Sequence, residues 1–467
     1  MVFKFGLTGE QEPSIHEVHE QQARRPSAVE ALDFGKRRKG VSDKLVTVTI
    51  LFFLWGFAYG LLNVLSSRFQ VALHITQGQS SGLQGAYFGA HFIGPLTYSG
   101  WFVRKFGYRY TFILGLSIYC VGALMFWPSA VKRSFGGFCG SMFIVGSGLS
   151  TLETSANPYI AVCGPPKWSE FRLELSQSFQ AVGSVVTPAM SSSRTVQYVY
   201  LGIAVFVALL AVVFYFAPIP EITDADMADQ AEMTTSTTGY EDKPSKQYTL
   251  FWGVAAQFSY ARPDIPTITA QHQGANFHAI AQALFAIGRF SAAGLMYVTK
   301  PRYILLAYQT LIMVFISAAI GTDTGHGKKA NWGGLAMLML VLFFESCIFP
   351  TIFTLSLRGL GRHTKRGASF LVASVCGGAV VPAILGNVAD RIGTRYAMVI
   401  PLAFFLIAWS FPIYLNLFKG KELDAYRESH VGLQEGQVDP EGRIGSMNIP
   451  RDEKDLEAAK IEKREDF

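Results

Sequence analysis

Two otherwise apolar stretches of this chain each carry a glutamate, and both glutamates open the same short pattern. The first reads Glu153-Thr154-Ser155-Ala156-Asn157-Pro158-Tyr159-Ile160. The second, 192 residues later, reads Glu345-Ser346-Cys347-Ile348-Phe349-Pro350-Thr351-Ile352. Each is Glu, a hydroxyl residue, three residues, Pro, one residue and Ile. A carboxylate at the centre of a membrane helix costs about 2.5–3.5 kcal/mol on insertion scales. A chain that carries one at matching points of two apolar runs points to two halves built around a central ion or solute site.

The rest of the sequence agrees with a membrane setting. Half of the residues are hydrophobic and only 16% are charged. The charges gather in residues 1–44, 219–246 and 419–467 and in short loops. Between them lie apolar runs of about 20 residues, the length that crosses a bilayer core. Backbone polar groups inside a bilayer must be satisfied within the segment, so these runs are read as helices. The expectation is an all-α membrane protein with twelve transmembrane helices, at about 46–66, 83–103, 110–128, 136–161, 174–193 and 197–217, then 248–262, 277–298, 303–321, 332–357, 367–387 and 396–418.

This divides the chain into a disordered tail (1–45), a six-helix half (46–217), a polar linker read as solvated (218–247), a second six-helix half (248–418) and a C-terminal tail (419–467). Span 7 is short and atypical unless it continues through Arg262-Pro263-Asp264. It is read as crossing, because otherwise the basic group Arg358, Arg362, Lys365 and Arg366 would lie outside, against the positive-inside rule. A stretch missing from the gene product is the other reading of its length. With both termini cytoplasmic, Arg104, Lys105, Arg109, Lys300 and Arg302 also fall inside.

Several function classes drop out. The net charge of +6 reflects Lys and Arg beside spans rather than a nucleic-acid surface. The five cysteines lie in or beside apolar runs, with no metal spacing and no disulfide framework. There is no Walker A pattern, no cleavable signal peptide and no nucleophile–base pair, so an ATP-driven pump or an enzyme is not expected.

The duplication shows in more than the glutamates. Trp55-Gly56 matches Trp252-Gly253 at an offset of 197, and Val185-Val186-Thr187-Pro188-Ala189 matches Val380-Val381-Pro382-Ala383. The stretch from Gly94 to Tyr110 resembles that from Gly288 to Tyr303. Two six-helix halves in parallel orientation, with a site between them near mid-membrane, is the major facilitator arrangement.

A more specific resemblance rests on five segments: Phe53-Leu54-Trp55-Gly56-Phe57-Ala58, Leu152 to Ile160, Gln177-Ser178-Phe179-Gln180-Ala181-Val182-Gly183, Phe349-Pro350-Thr351-Ile352-Phe353 and Leu360 to Phe370. Together they resemble the fucose–hexose–proton symporter family over roughly residues 45–420. The resemblance implies a proton-coupled monosaccharide carrier of the fucose, glucose or galactose class, working by alternating access. It implies a proton-coupling role for Glu153 and sugar contacts for Gln177 and Gln180. By spacing from Trp55, the family's span-1 carboxylate falls at Asn63, an amide that can hydrogen-bond a sugar but cannot carry a proton.

The residue chemistry fits that implication. Asn63, Gln177 and Gln180 both donate and accept, as sugar hydroxyls require. Gln177, Gln180 and Gly183 share one helix face, and helix–helix bonding is the other use for such amides. Trp55 and Tyr159 are candidates to pack on the sugar ring. Burial in hydrocarbon favours the neutral form of a carboxyl group, which suits Glu153 to take up and release a proton. Glu345 is either a second protonation site or the structural counterion of Arg289, an intramembrane charge in span 8. His91 and His278 read as packing or interface residues.

The expected partners are a monosaccharide, protons and the lipid bilayer, with a proton gradient as the energy source and no cofactor. The protein is expected as a monomer in the plasma membrane. Two other readings stay open: an uncoupled sugar facilitator, and a non-transporting sugar receptor or degenerate carrier.

Overall fold

The computed structural model describes residues 77–132, 134–163, 166–190, 196–216, 243–259, 271–321 and 332–424, together with 48–50, 52, 53, 56, 222, 224 and 227. Most of span 1, including Trp55 and Asn63, lies outside the described residues, as do the N-terminal tail, the C-terminal tail beyond Asp424 and the continuation of span 7 beyond Ser259.

In the first half the main helices are α1 (Gln77–Leu96), α2 (Tyr98–Val131), α3 (Phe135–Val162), α4 (Ser169–Met190) and α5 (Val196–Phe216). In the second they are α6 (Lys243–Ser259), α7 (Gln271–Val298), α8 (Pro301–Gly321), α9 (Trp332–Glu345), α10 (Ile348–Leu357), α11 (Thr364–Ala373), α12 (Gly377–Ile392) and α13 (Val399–Phe418). No strand occurs among the described residues, and seven helical stretches there are long and apolar enough to cross a membrane. Apolar side chains such as Val205, Leu209, Val212, Leu406 and Ile407 face outward. An outward-facing apolar surface of this kind is what lipid covers, since a soluble chain rarely exposes so much.

Turns fall where the sequence supplies them. Gly107 has φ 82°, in the left-handed region, and divides α2 into the end of the second span and the whole of the third. Helix α3 stays continuous through Glu153 and is buried along almost its whole second half. It carries many hydroxyls in an apolar setting because they bond back to its own carbonyls. Thr151 and Thr154 each donate to the carbonyl four residues earlier at 2.7 Å, and Ser155 does so at 3.0 Å.

The matching glutamate in the second half sits differently. Span 10 breaks immediately after Glu345, where Ser346 and Cys347 form a turn between α9 and α10. Pro350 cannot donate to Ser346, and its ring crowds that carbonyl. From α7, Gly288 presses on the last turn of α9, where a Cβ would lie 2.3 Å from the Phe343 oxygen.

Helices α1, α2, α3 and α5 pack together, as do α6, α8, α9 and α13. The halves meet along two seams, α4 against α7 and α1 against α11. At the end carrying residues 166–168 and 358–366, one apolar cluster crosses between them. Tyr108, Leu152, Ala156 and Tyr159 share it with Phe353, Leu357, Leu360 and Leu371. Ion pairs close the same end: Arg358 to Glu170 at 2.5 Å, and Lys365 to Asp224 at 3.0 Å.

Asp224 belongs to the segment read from sequence as a solvated linker. Its described neighbours Ile222 and Met227 are buried in the crossing cluster, and the Tyr108 hydroxyl reaches the Met227 sulfur at 3.9 Å. The start of the linker therefore packs on the fold, held by these two apolar side chains, instead of being solvated throughout.

Candidate functional site

A cavity with about 930 Å³ of empty space, open mouth included, lies between the halves above the closed end. The N-terminal half lines it with Gly56, with Tyr87, Phe88 and His91 from α1, with Glu153 from α3, and with Gln177, Gln180, Ala181 and Ser184 from α4. The other half supplies Gln257 from α6, Gln282, Phe285 and Arg289 from α7, Phe349 from α10, and Val375 and Gly378 beyond α11. Helical spacing explains the selection. On α4 the lining residues fall at i, i+3, i+4 and i+7, and on α7 at i, i+3 and i+7, so each helix presents one stripe to the cavity. Gly56 lets span 1 meet α4 directly, for a Cβ there would lie 1.7 Å from the Gln180 carbonyl oxygen.

The polar groups form two sets. In the first, Arg289 lies over the Phe285 ring at 4.9 Å. Its Nη1 donates to the Gln177 carbonyl at 2.9 Å, to Gln177 Oε1 at 2.8 Å and to Gln180 Oε1 at 3.5 Å. Gln177 Nε2 in turn donates to Asn157 Oδ1 at 3.3 Å. Gln177 is thus held from both sides, and Gln180 is the freer amide of the pair. The Arg289 bonds cross the seam between the halves and the Asn157 bond joins α4 to α3, so Gln177 combines the cavity position with the helix–helix bonding that sequence also allowed.

In the second set, Glu153 is 3% exposed, and its Oε2 lies 3.9 Å from His91 Nε2. His91 Nδ1 lies 3.1 Å from the Tyr87 carbonyl, which can only accept, so Nδ1 carries a proton and Nε2 faces the carboxyl group. Glu153 Oε2 has no hydrogen-bond partner among the described residues. His91, read from sequence as a packing residue, therefore belongs to the glutamate's surroundings.

Other sequence candidates are placed elsewhere. Tyr159 does not line the cavity: it is fully buried, edge-on to Tyr108 at 5.5 Å and to Phe112 at 5.9 Å. Glu345 is also fully buried and is not among the lining residues. Two amides in the wall, Gln257 and Gln282, were not singled out in the sequence. Their signal was there, as uncharged polar residues within apolar runs, with Gln282 seven positions before Arg289. Gln257 is 1% exposed, and neither Oε1 nor Nε2 has a hydrogen-bond partner among the described residues.

Apolar helices in two groups around a polar cavity, closed at one end by ion pairs and apolar side chains, define a membrane carrier that exposes its site by moving its halves. The Major Facilitator Superfamily model matches residues 48–382, and the chain belongs to that superfamily. It is a multi-pass membrane transporter, not an enzyme.

Relatives make the comparison closer. The chain is 30% identical over 389 residues to a glucose/galactose transporter of Brucella abortus, covering 78% of this chain and 92% of that one. It is 30% identical over 408 residues to the L-fucose-proton symporter of Escherichia coli, covering 77% and 90%. A solved superfamily transporter, FucP in the outward conformation, superposes with a TM-score of 0.66 at 29% identity, covering 79% of this chain and 98% of that structure.

Proposed function

We propose that the protein imports a monosaccharide of the fucose, glucose or galactose class together with a proton. Relatives with those printed names support the substrate class. The observation that carries the reading is the ring of amides, Gln177, Gln180, Gln257 and Gln282, drawn from both halves around one cavity. Buried polar groups in native proteins are almost always hydrogen-bonded, and the two ends of Gln257 lack partners among the described residues. A sugar hydroxyl, which donates and accepts, satisfies both.

Glu153 is the proton carrier of this reading. It takes a proton from the open cavity, holds it in neutral form while access changes, and releases it at the other end, with His91 beside it as the facing base. Glu345 is assigned a secondary role in coupling, at the break between α9 and α10. Trp55 and Asn63 complete the sugar contacts from span 1, while Tyr159 is a packing residue. The closed end, rich in Lys and Arg, is cytoplasmic, which makes the open cavity outward-facing. The protein works as a monomer in the plasma membrane, with the proton gradient as its only energy source.

The test is uptake by the purified protein in liposomes across a panel of monosaccharides, with and without an imposed pH gradient. Accumulation of one sugar above equilibrium only with the gradient is expected. Exchange without accumulation selects the uncoupled facilitator, which the amide at Asn63 favours. Binding without exchange selects a receptor.

A further inference from the structure

Two short segments outside the spans return to the closed end, one after each half. After α5 comes Ile222-Thr223-Asp224, and after α13 comes Leu423-Asp424 in a short helix, α14 (Gly420–Asp424). In each, a buried aliphatic side chain stands just before an aspartate that pairs with Lys or Arg.

Their partners set the two apart. Asp424 meets Lys300 at 2.6 Å and Arg302 at 2.7 Å, and the Leu423 carbonyl accepts from Arg358 at 2.8 Å. All three cations belong to the second half, so this segment fastens that half to itself. Asp224 instead crosses. The chain around it continues the first half and is anchored there: Ile222 and Met227 are 1% and 2% exposed, and the Tyr108 hydroxyl of α2 reaches the Met227 sulfur. The Asp224 carboxylate pairs with Lys365 of α11, in the second half, at 3.0 Å.

Lys365 gives this pair its weight. It is 5% exposed where the halves meet, and its Nζ lies 5.1 Å from the centre of the Tyr108 ring. Among the described residues Asp224 is its one ion-pair partner. A buried ammonium needs an acid beside it, whereas the same pair in water is worth little. Opening the closed end parts Lys365 from Tyr108 and lets water reach the ammonium. The pair therefore stabilises the closed end more than the open one, and only such a difference shifts a conformational equilibrium.

We propose that Asp224 is a positioning residue for transport. Acting through Lys365, it straps the second half to the first and sets how often the closed end opens. Asp224 is not among the residues that line the cavity. The strap works whichever sugar is carried, and whether or not a proton accompanies it.

Hydrogen exchange of the full-length protein in lipid nanodiscs, read by mass spectrometry, tests this. Uptake through brief openings tracks the fraction of time a region is open. Asp224→Asn is expected to speed uptake about fivefold or more in residues 152–162 and 358–369, which face each other across the closed end. Asp224→Glu keeps the charge and is expected to stay within about twofold of wild type. In a Lys365→Met background, Asp224→Asn is expected to add nothing, because the cation it serves is gone. If Asp224→Asn speeds uptake only around residue 224, the strap does not govern the closed end and the proposal is wrong. An effect that persists undiminished with Lys365→Met also overturns it, since Asp224 would then act through another group. Faster uptake in every helix alike, α13 included, marks a general loss of folding and contradicts a role confined to the closed end.

Discussion

Replacing Gln257 by Met separates a binding residue from a structural one, because the two roles predict opposite effects on stability. Gln257 is 1% exposed and its amide has no hydrogen-bond partner among the described residues. Leaving such a group unsatisfied costs about 1–3 kcal/mol. Met has nearly the same length and no amide, so the sugar-free protein is expected to melt at the same temperature or higher. With sugar bound the effect reverses. One lost donor bond and one lost acceptor bond, each worth about 0.5–1.5 kcal/mol, amount to about 1–3 kcal/mol, or roughly 5- to 150-fold weaker binding. Calorimetric titration of detergent-purified protein gives the affinity, and a thermal scan of the same sample gives the midpoint. Wild-type affinity in Gln257→Met, or a clearly lower midpoint, would refute the assignment. Gln177→Met is the contrast. That amide is bonded by Arg289 and Asn157, so its loss is expected to weaken binding and to lower the midpoint as well.

Further predictions follow from packing and charge. Glu170→Gln leaves Arg358 without its 2.5 Å partner across the halves. The Glu170 side is fully buried and the Arg358 side partly exposed, so losing the charge weakens the closed end, and spin-label distances across that end are expected to lengthen in the sugar-free protein; an unchanged distribution would count against closure by this pair. Gly377→Val should sharply reduce the folded yield, because a Cβ there would lie 1.9 Å from the Phe258 carbonyl oxygen, whereas Gly85→Ala, with no atom within 4 Å, should express like wild type. Equal yields would contradict the close crossing of spans 7 and 11. Tyr159→Phe keeps the rings against Tyr108 and Phe112 and is expected to bind sugar as wild type does; a loss of several-fold or more, on the scale of a hydrogen bond, would return Tyr159 to the cavity.

Much of the architecture was legible in the sequence because the bilayer imposes it. Runs of about 20 apolar residues, the offset repeats and a glutamate in each half already implied a duplicated helical carrier. Residue placement within the site was legible only as far as helix periodicity carried it. Gln177 and Gln180 could be assigned to one face, and Arg289 to a span, from spacing alone. Tyr159 failed on the same arithmetic: six residues beyond Glu153, it stands about 240° around the helix and faces the core, whereas Asn157, one turn from Glu153, reaches Gln177. The contacts of Arg289 with α4 could not be read, because they join helices more than 100 residues apart across the seam. The two glutamates share a pattern but not a backbone, since α3 runs on through Glu153 and span 10 breaks after Glu345.

Gradient-driven uptake by Glu153→Gln tests the proton-coupling claim most directly. In liposomes with an imposed pH gradient, wild type is expected to concentrate its sugar, and Glu153→Gln is expected to exchange sugar while failing to concentrate it. If Glu153→Gln concentrates sugar to the wild-type level, the proton is carried elsewhere and the role given to Glu153 is wrong.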